Sequence, residues 1–148
     1  MSRIADGALR IVLTAAHRLI KPARHIRRAK TCGAHAVALT PEGKLILVKL
    51  RYASGWRVPG GGRKKDEAPI DAALRELREE IGLTAHGEAR LVRDFEEDAA
   101  SLVIVRDVRY LPRWGWEVER VTEASHDRLP ADLSPITNRW IEAVKPLL

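Results

Sequence analysis

The chain has one cysteine, Cys32, in 148 residues. That excludes an internal disulfide and fits a reducing compartment, here expected to be the cytoplasm. No His or Asp pattern beside Cys32 makes it a nucleophile, so it reads as a small buried apolar side chain. No run reaches the roughly 18 apolar residues that a bilayer span needs. The longest apolar stretches are strand-sized, such as Leu45-Ile46-Leu47-Val48. His17, His25, His35, His86 and His126 show no metal-ligand spacing. There is no internal repeat, low-complexity segment or linker. What remains is an ordinary globular mix, 45% hydrophobic and 31% charged, of a length that suits one domain.

The net charge of +6 suggests a nucleic-acid partner, but its distribution does not. Residues 1–30 hold Arg3, Arg10, Arg18, Lys21, Arg24, Arg27, Arg28 and Lys30 against a single acid, Asp6. The rest of the chain is nearly neutral, so nucleic acid is not the expected partner. Ile4, Ala8, Ile11, Ala15 and Leu19 recur at helical spacing and predict a basic amphipathic arm over residues 1–30, interrupted at Pro22. The arm packs on its own domain or a partner subunit, or residues 2–21 lie on a membrane surface.

The second unit is residues 31–148. Ala34–Thr40 and Lys44–Leu50 read as strands of a hairpin about a Pro-Glu-Gly turn. Tyr52–Gly62 reads as a loop with a short strand at Trp56-Arg57-Val58. Pro69–Ile81 reads as a helix. Leu91–Phe95, Leu102–Tyr110 and Glu117–Thr122 read as strands, and Pro130–Leu148 as a closing helix opened by Ser134-Pro135.

The chemistry lies in Gly60–Leu83. On the helix, Ile70, Ala73, Leu74, Leu77 and Ile81 share the core face, while Glu76, Glu79 and Glu80 share a neighbouring one. Carboxylates at that spacing repel, by roughly 0.2–0.5 kcal/mol per pair on a helix. Arg75 and Arg78 flank them but point elsewhere on the wheel, so the cluster is not expected to be fully neutralised. A hard divalent cation would relieve it. The glycine run upstream allows close backbone approach and exposes carbonyls. Gly82 ends the helix.

The same segment resembles the Nudix box. Gly61, Glu67, Arg75, Glu76, Leu77, Glu79, Glu80, Gly82 and Leu83 meet every spacing of that pattern. The likeness extends over roughly residues 33–146, through Gly55-Trp56-Arg57-Val58-Pro59-Gly60-Gly61-Gly62 and Trp116-Glu117-Val118-Glu119. It implies an α/β/α sandwich with a mixed sheet. It implies hydrolysis of a pyrophosphate bond in a nucleoside diphosphate linked to another moiety, with Mg2+, or Mn2+ in its place, activating water.

The resemblance also implies roles. Glu76, Glu80 and the Gly60 carbonyl would hold metal, with Glu79 on another ion or on water. Arg75 would orient a box carboxylate, and Glu67 would lock the loop to the helix. The general base would be Glu79, Glu80, or an acid outside the box such as Glu97, Glu117 or Glu119. Arg51, Trp56, Arg57 and Arg63 are the substrate-binding candidates, with Trp56, Trp114 and Trp116 each able to stack on a base. Family members are often homodimers. The competing reading is a Nudix-fold module that has lost catalysis and binds a nucleotide or RNA.

Overall fold

The computed structural model describes residues 33–111 and 115–148. The expected arm over 1–30, including its segment 2–21, lies outside these residues, as do Cys32 and Trp114. Among the described residues no helix is long and apolar enough to cross a membrane.

Among the described residues nine strands and two α-helices follow one another. The strands are β1 (Gly33–Ala38), β2 (Leu45–Leu50), β3 (Trp56–Arg57), β4 (Gly60–Gly62), β5 (Leu83–Ala85), β6 (Ala89–Phe95), β7 (Ala100–Val105), β8 (Arg109–Tyr110) and β9 (Val118–Ala124). The helices are α1 (Pro69–Ile81), between β4 and β5, and α2 (Pro135–Val144), near the C-terminus. A mixed four-stranded sheet runs β4-β1-β7-β6, with β1 and β7 parallel. A three-stranded antiparallel sheet runs β3-β2-β9, and β5 pairs with β8.

Period-two alternation divides the strand side chains between two cores. Ala34, Ala36, Ala38, Ile46, Val48, Val103 and Val105 join Ala72, Ala73, Leu77 and Ile81 of α1 in one cluster. Val37, Leu45, Leu47, Leu102 and Ile104 join Trp140, Ile141 and Val144 of α2 in the other. Helices on both faces of the strands make the expected α/β/α sandwich. Alanine at every inward position of β1 on the α1 side keeps that contact thin, so the helix sits close to the strands.

Several readings of the sequence are corrected. β1 and β2 are not a paired hairpin. Their turn forms, with Thr40 N–H donating to the Lys44 carbonyl at 2.9 Å. Beyond a single bridge at Leu39–Leu45 the strands part into different sheets. Leu102–Tyr110 is interrupted because Asp107 takes a left-handed backbone, φ 51°. The closing helix starts at Pro135, not Pro130, where the Ser134 hydroxyl accepts the Thr137 N–H at 3.3 Å. α1 has the expected bounds and ends on Gly82 at φ 75°.

Candidate active site

β4 is made of glycine alone, and α1 lies on it. The Gly60 N–H donates to Glu80 Oε2 at 3.0 Å. A Cβ on Gly61 would stand 2.7 Å from Glu76 Oε1. A Cβ on Gly60 would stand 2.5 Å from both the Ala34 carbonyl and His35 Nδ1 on the other side. The glycines thus let a strand and two helix carboxylates meet without intervening side chains. Behind Gly60, His35 packs on Trp140 with ring centroids 4.6 Å apart. Burial, aided by Arg57, lowers its pKa to about 4, so it stays neutral there.

Arg75 organises the near end of the helix. Its Nε donates to Glu67 Oε2 and its Nη2 to Glu67 Oε1, both at 2.9 Å. Nη2 also reaches the Gly62 carbonyl at 3.0 Å. Glu67 Oε1 in turn accepts the Lys64 N–H at 2.9 Å. Loop and helix are therefore tied through one fork. These hydrogen bonds hold the Glu67 carboxyl down at about 2. Arg75 Nη1 also stands 3.0 Å from Glu76 Oε1 and 3.5 Å from Glu79 Oε2. Arg75 therefore does not point away from the cluster as expected, since Nη1 reaches two of the three glutamates, but it leaves Glu80 without a counter-charge, so the cluster is not fully neutralised.

Glu80 is different. It is 7% exposed, and among the described residues it accepts a hydrogen bond from the Gly60 amide alone. Burial first, then the charge of Glu76, raises its pKa to about 8, with Glu117 and Glu79 adding to the effect. Burial raises Glu76 as well, against the pull of Arg75. Two desolvated carboxylates side by side are a donor set for a hard cation, and oxygen is the only donor type present. Among the described residues no three His, Cys, Asp or Glu side chains converge enough to hold an ion by themselves. The remaining positions would fall to a backbone carbonyl, water and substrate oxygens, which suits magnesium.

The outside acids separate by place. Glu117 acts on Glu76, Glu80 and Tyr52. Glu97 acts instead on Arg139, which pairs with Asp98 beside α2. Glu119 lies within β9. Tyr52 is a member of the site that the sequence did not mark. Its hydroxyl is raised to about 12 by burial and then by Glu117 and Glu80.

Of the substrate-binding candidates, Arg57 is half-buried near Tyr52, and its Nε is a buried donor with no hydrogen-bond partner. Arg51 donates from Nε to the Trp116 carbonyl at 2.7 Å. Arg63 is half-buried, while Lys64 and Lys65 are exposed. Trp56 packs against the α2-side core, with Lys49 Nζ 5.5 Å from its ring. Trp116 is the exposed indole next to the acids.

A mixed-sheet sandwich with a carboxylate helix laid on glycine is the Nudix architecture, and solved structures agree. A MutT NUDIX hydrolase from Burkholderia pseudomallei matches with TM-score 0.62 and 24% identity over 77% of this chain and 97% of that one. A nudix hydrolase family member from Chromobacterium violaceum matches with TM-score 0.62 and 22% identity, over 79% of this chain and 77% of that one. The NUDIX domain model matches residues 30–140, and the chain belongs to the Nudix family. Among curated relatives, an RNA pyrophosphohydrolase from Hydrogenovibrio crunogenus is 43% identical over 47 residues, 32% of this chain and 28% of that protein. The chain thus matches less than a third of the length of the curated relatives it resembles.

Proposed function

We propose that this protein is a Mg2+-dependent pyrophosphohydrolase acting on a nucleoside diphosphate linked to another moiety. The observation that carries the reading is Glu80, a buried carboxylate beside Glu76 that pairs with no arginine or lysine among the described residues. Such a group is costly to ionise unless a cation joins it. Glu76, Glu80 and the Gly60 carbonyl would hold the metal, with Glu79 at the exposed edge. When bound, a divalent cation polarises phosphoryl oxygens and lowers the pKa of a coordinated water.

The chain's own residues do the rest. The Gly60 amide fixes the Glu80 carboxylate. Arg75 fixes Glu76 and the loop that carries Glu67. Arg57 and Arg63 place positive charge for the phosphates, and Arg51 holds the strand end beside them. A proton is taken by Glu79, Glu80 or Glu117, Glu117 being the outside acid coupled to the cluster. The fold's relatives include an ADP-ribose pyrophosphatase from Streptococcus suis, which supports a small-molecule substrate.

The curated relatives named RNA pyrophosphohydrolases favour a second substrate, the 5′ end of RNA. The near-neutral charge of residues 31–148 favours the small molecule. An inactive binding module has no use for a buried, unneutralised Glu80. The test is a panel of nucleoside diphosphate derivatives and a 5′-triphosphorylated RNA oligonucleotide with Mg2+ or Mn2+, following phosphate release. Turnover of the small molecules that is lost in Glu80→Gln supports the reading. Binding without turnover across the panel would establish the module instead.

A further inference from the structure

The turn before β9 has a feature that the hydrolytic centre does not use. Trp116 is 60% exposed, more than any other large apolar side chain among the described residues. A lone exposed apolar residue needs no explanation. This one sits on a backbone held from three sides. Arg51 Nε donates to the Trp116 carbonyl at 2.7 Å, and the Arg51 N–H donates to the Glu117 carbonyl at 2.9 Å. The Val118 N–H closes the turn on the Gly115 carbonyl at 3.1 Å. Gly115 lies against the end of α1, where a Cβ would stand 3.3 Å from the Glu79 carbonyl.

The position of that turn is what matters. The turn meets α1 at Glu79, on the helix that carries Glu76 and Glu80, and the residue after Trp116 is Glu117. Successive Cα atoms are about 3.8 Å apart, so Trp116 begins one residue from Gly115, the point where the turn meets the Glu79 end of α1. A fixed backbone carrying an open aromatic face loses little conformational freedom when a flat ring settles on it. Of the other tryptophans described, Trp140 is buried in the α2-side core and Trp56 is packed against it under Lys49.

We propose that Trp116 is the stacking platform for the nucleobase of the substrate, with Arg51 as the positioning residue that holds the platform beside the acid cluster. The proposal rests on the hydrolase reading above and adds to it the place where a base is recognised. Stacking on an indole tolerates any base, because every base has a π-face. The enzyme should therefore discriminate weakly between adenine, guanine and uracil, and strongly against diphosphates that lack a base.

The experiment measures binding, not turnover. The full chain, with magnesium, is titrated calorimetrically with α,β-methylene-ADP and with methylenediphosphonate, which has the diphosphate but no nucleoside. Trp116→Ala should weaken the nucleotide analogue by roughly 5- to 150-fold and leave methylenediphosphonate unchanged. Trp116→Phe should restore binding to within about threefold, since a smaller ring still stacks. An equal loss for both ligands would overturn the proposal by showing that Trp116 only supports the fold. Unchanged nucleotide affinity in Trp116→Ala would also overturn it, while leaving the hydrolase reading standing. Failure of the wild-type protein to bind either ligand would sink both.

Discussion

The two ends of helix α1 solve the same problem in opposite ways. Glu67, in the loop before the helix, accepts from Nε and Nη2 of Arg75 and from a backbone amide, and its pKa falls to about 2. Glu80, at the far end, is buried against glycine with only an amide, and its pKa rises to about 8. One carboxylate is satisfied within the chain. The other has no counter-charge from the described residues and stays neutral more easily than it ionises. Carboxylates placed by the same helix can thus be told apart by whether the fold itself supplies the counter-charge.

The largest effect should come from removing the unneutralised end. Glu80→Gln keeps an acceptor for the Gly60 N–H but cannot carry the charge a cation needs. We expect kcat to fall by roughly 10²- to 10³-fold on any substrate the enzyme turns over. Thermal stability without metal should hold or rise, because the change keeps the acceptor for the Gly60 N–H and removes a buried carboxyl that is costly to ionise next to Glu76. Magnesium should raise the Tm of the wild type and not of the variant. Steady-state kinetics and paired melts check both halves. Undiminished turnover in the variant would remove Glu80 from the site.

The second test attacks the satisfied end. Arg75→Ala leaves Glu67 and Glu76 without their partner and unties Gly62 from the helix. Activity should fall roughly 10- to 100-fold, as for residues that orient metal ligands from behind. Unlike Glu80→Gln, this variant should also lose stability, by about 1–3 kcal/mol in denaturant unfolding. Arg75→Lys should recover part of the loss only, because a lysine cannot span Glu67 and Glu76 with a planar fork. A variant as stable as the wild type would contradict the architectural role.

How far the sequence reveals this contrast depends on the residue. The bounds of α1, its Gly82 stop and its carboxylate face follow from periodicity and end signals. The strands of the two cores follow from alternation, though not their partners, since pairing is a long-range choice that local pattern does not encode. β4 is invisible for a physical reason: three glycines carry no strand preference, and what makes them a strand is antiparallel pairing with β1, a long-range contact. Arg75 is misjudged on a helical wheel because the wheel places Cβ atoms, while a guanidinium reaches several ångströms past its own. Glu117 and Glu97 read alike in sequence and separate only in space, where the charge of Glu97 acts on Arg139 and that of Glu117 on Glu76 and Glu80. Tyr52 has no sequence signal at all.

A third test addresses the surface both ends share. Gly61→Ala would place a methyl 2.7 Å from Glu76 Oε1. The side chain must swing away, and displacing a ligand by a fraction of an ångström should lower kcat about tenfold. Stability should change little, because the near neighbours of that methyl are side-chain carboxylate atoms, not packed backbone. Kinetics at saturating magnesium distinguish a displaced ligand from a weakened one. Restoration of full activity at high magnesium would show that Gly61 serves affinity alone.

The smallest effect is a pH dependence. Glu67 in the folded protein titrates at about 2 against an ordinary value of 4.5, chiefly through its hydrogen bonds to Arg75 and then to the Lys64 amide. A depressed folded value means that the folded state binds fewer protons than the unfolded chain. Its contribution is therefore complete above 4.5 and is lost as pH falls from there toward 2. Glu67→Gln removes the ionisation but keeps the shape. The Tm difference between wild type and variant should be constant from about pH 7 to about pH 5.5, then shrink on acidification and close near the bottom of that window. Melts across this range test the point with no metal and no substrate. A difference that persists unchanged at about pH 2 would show that the Glu67–Arg75 fork contributes by shape and hydrogen bonding alone, not by charge.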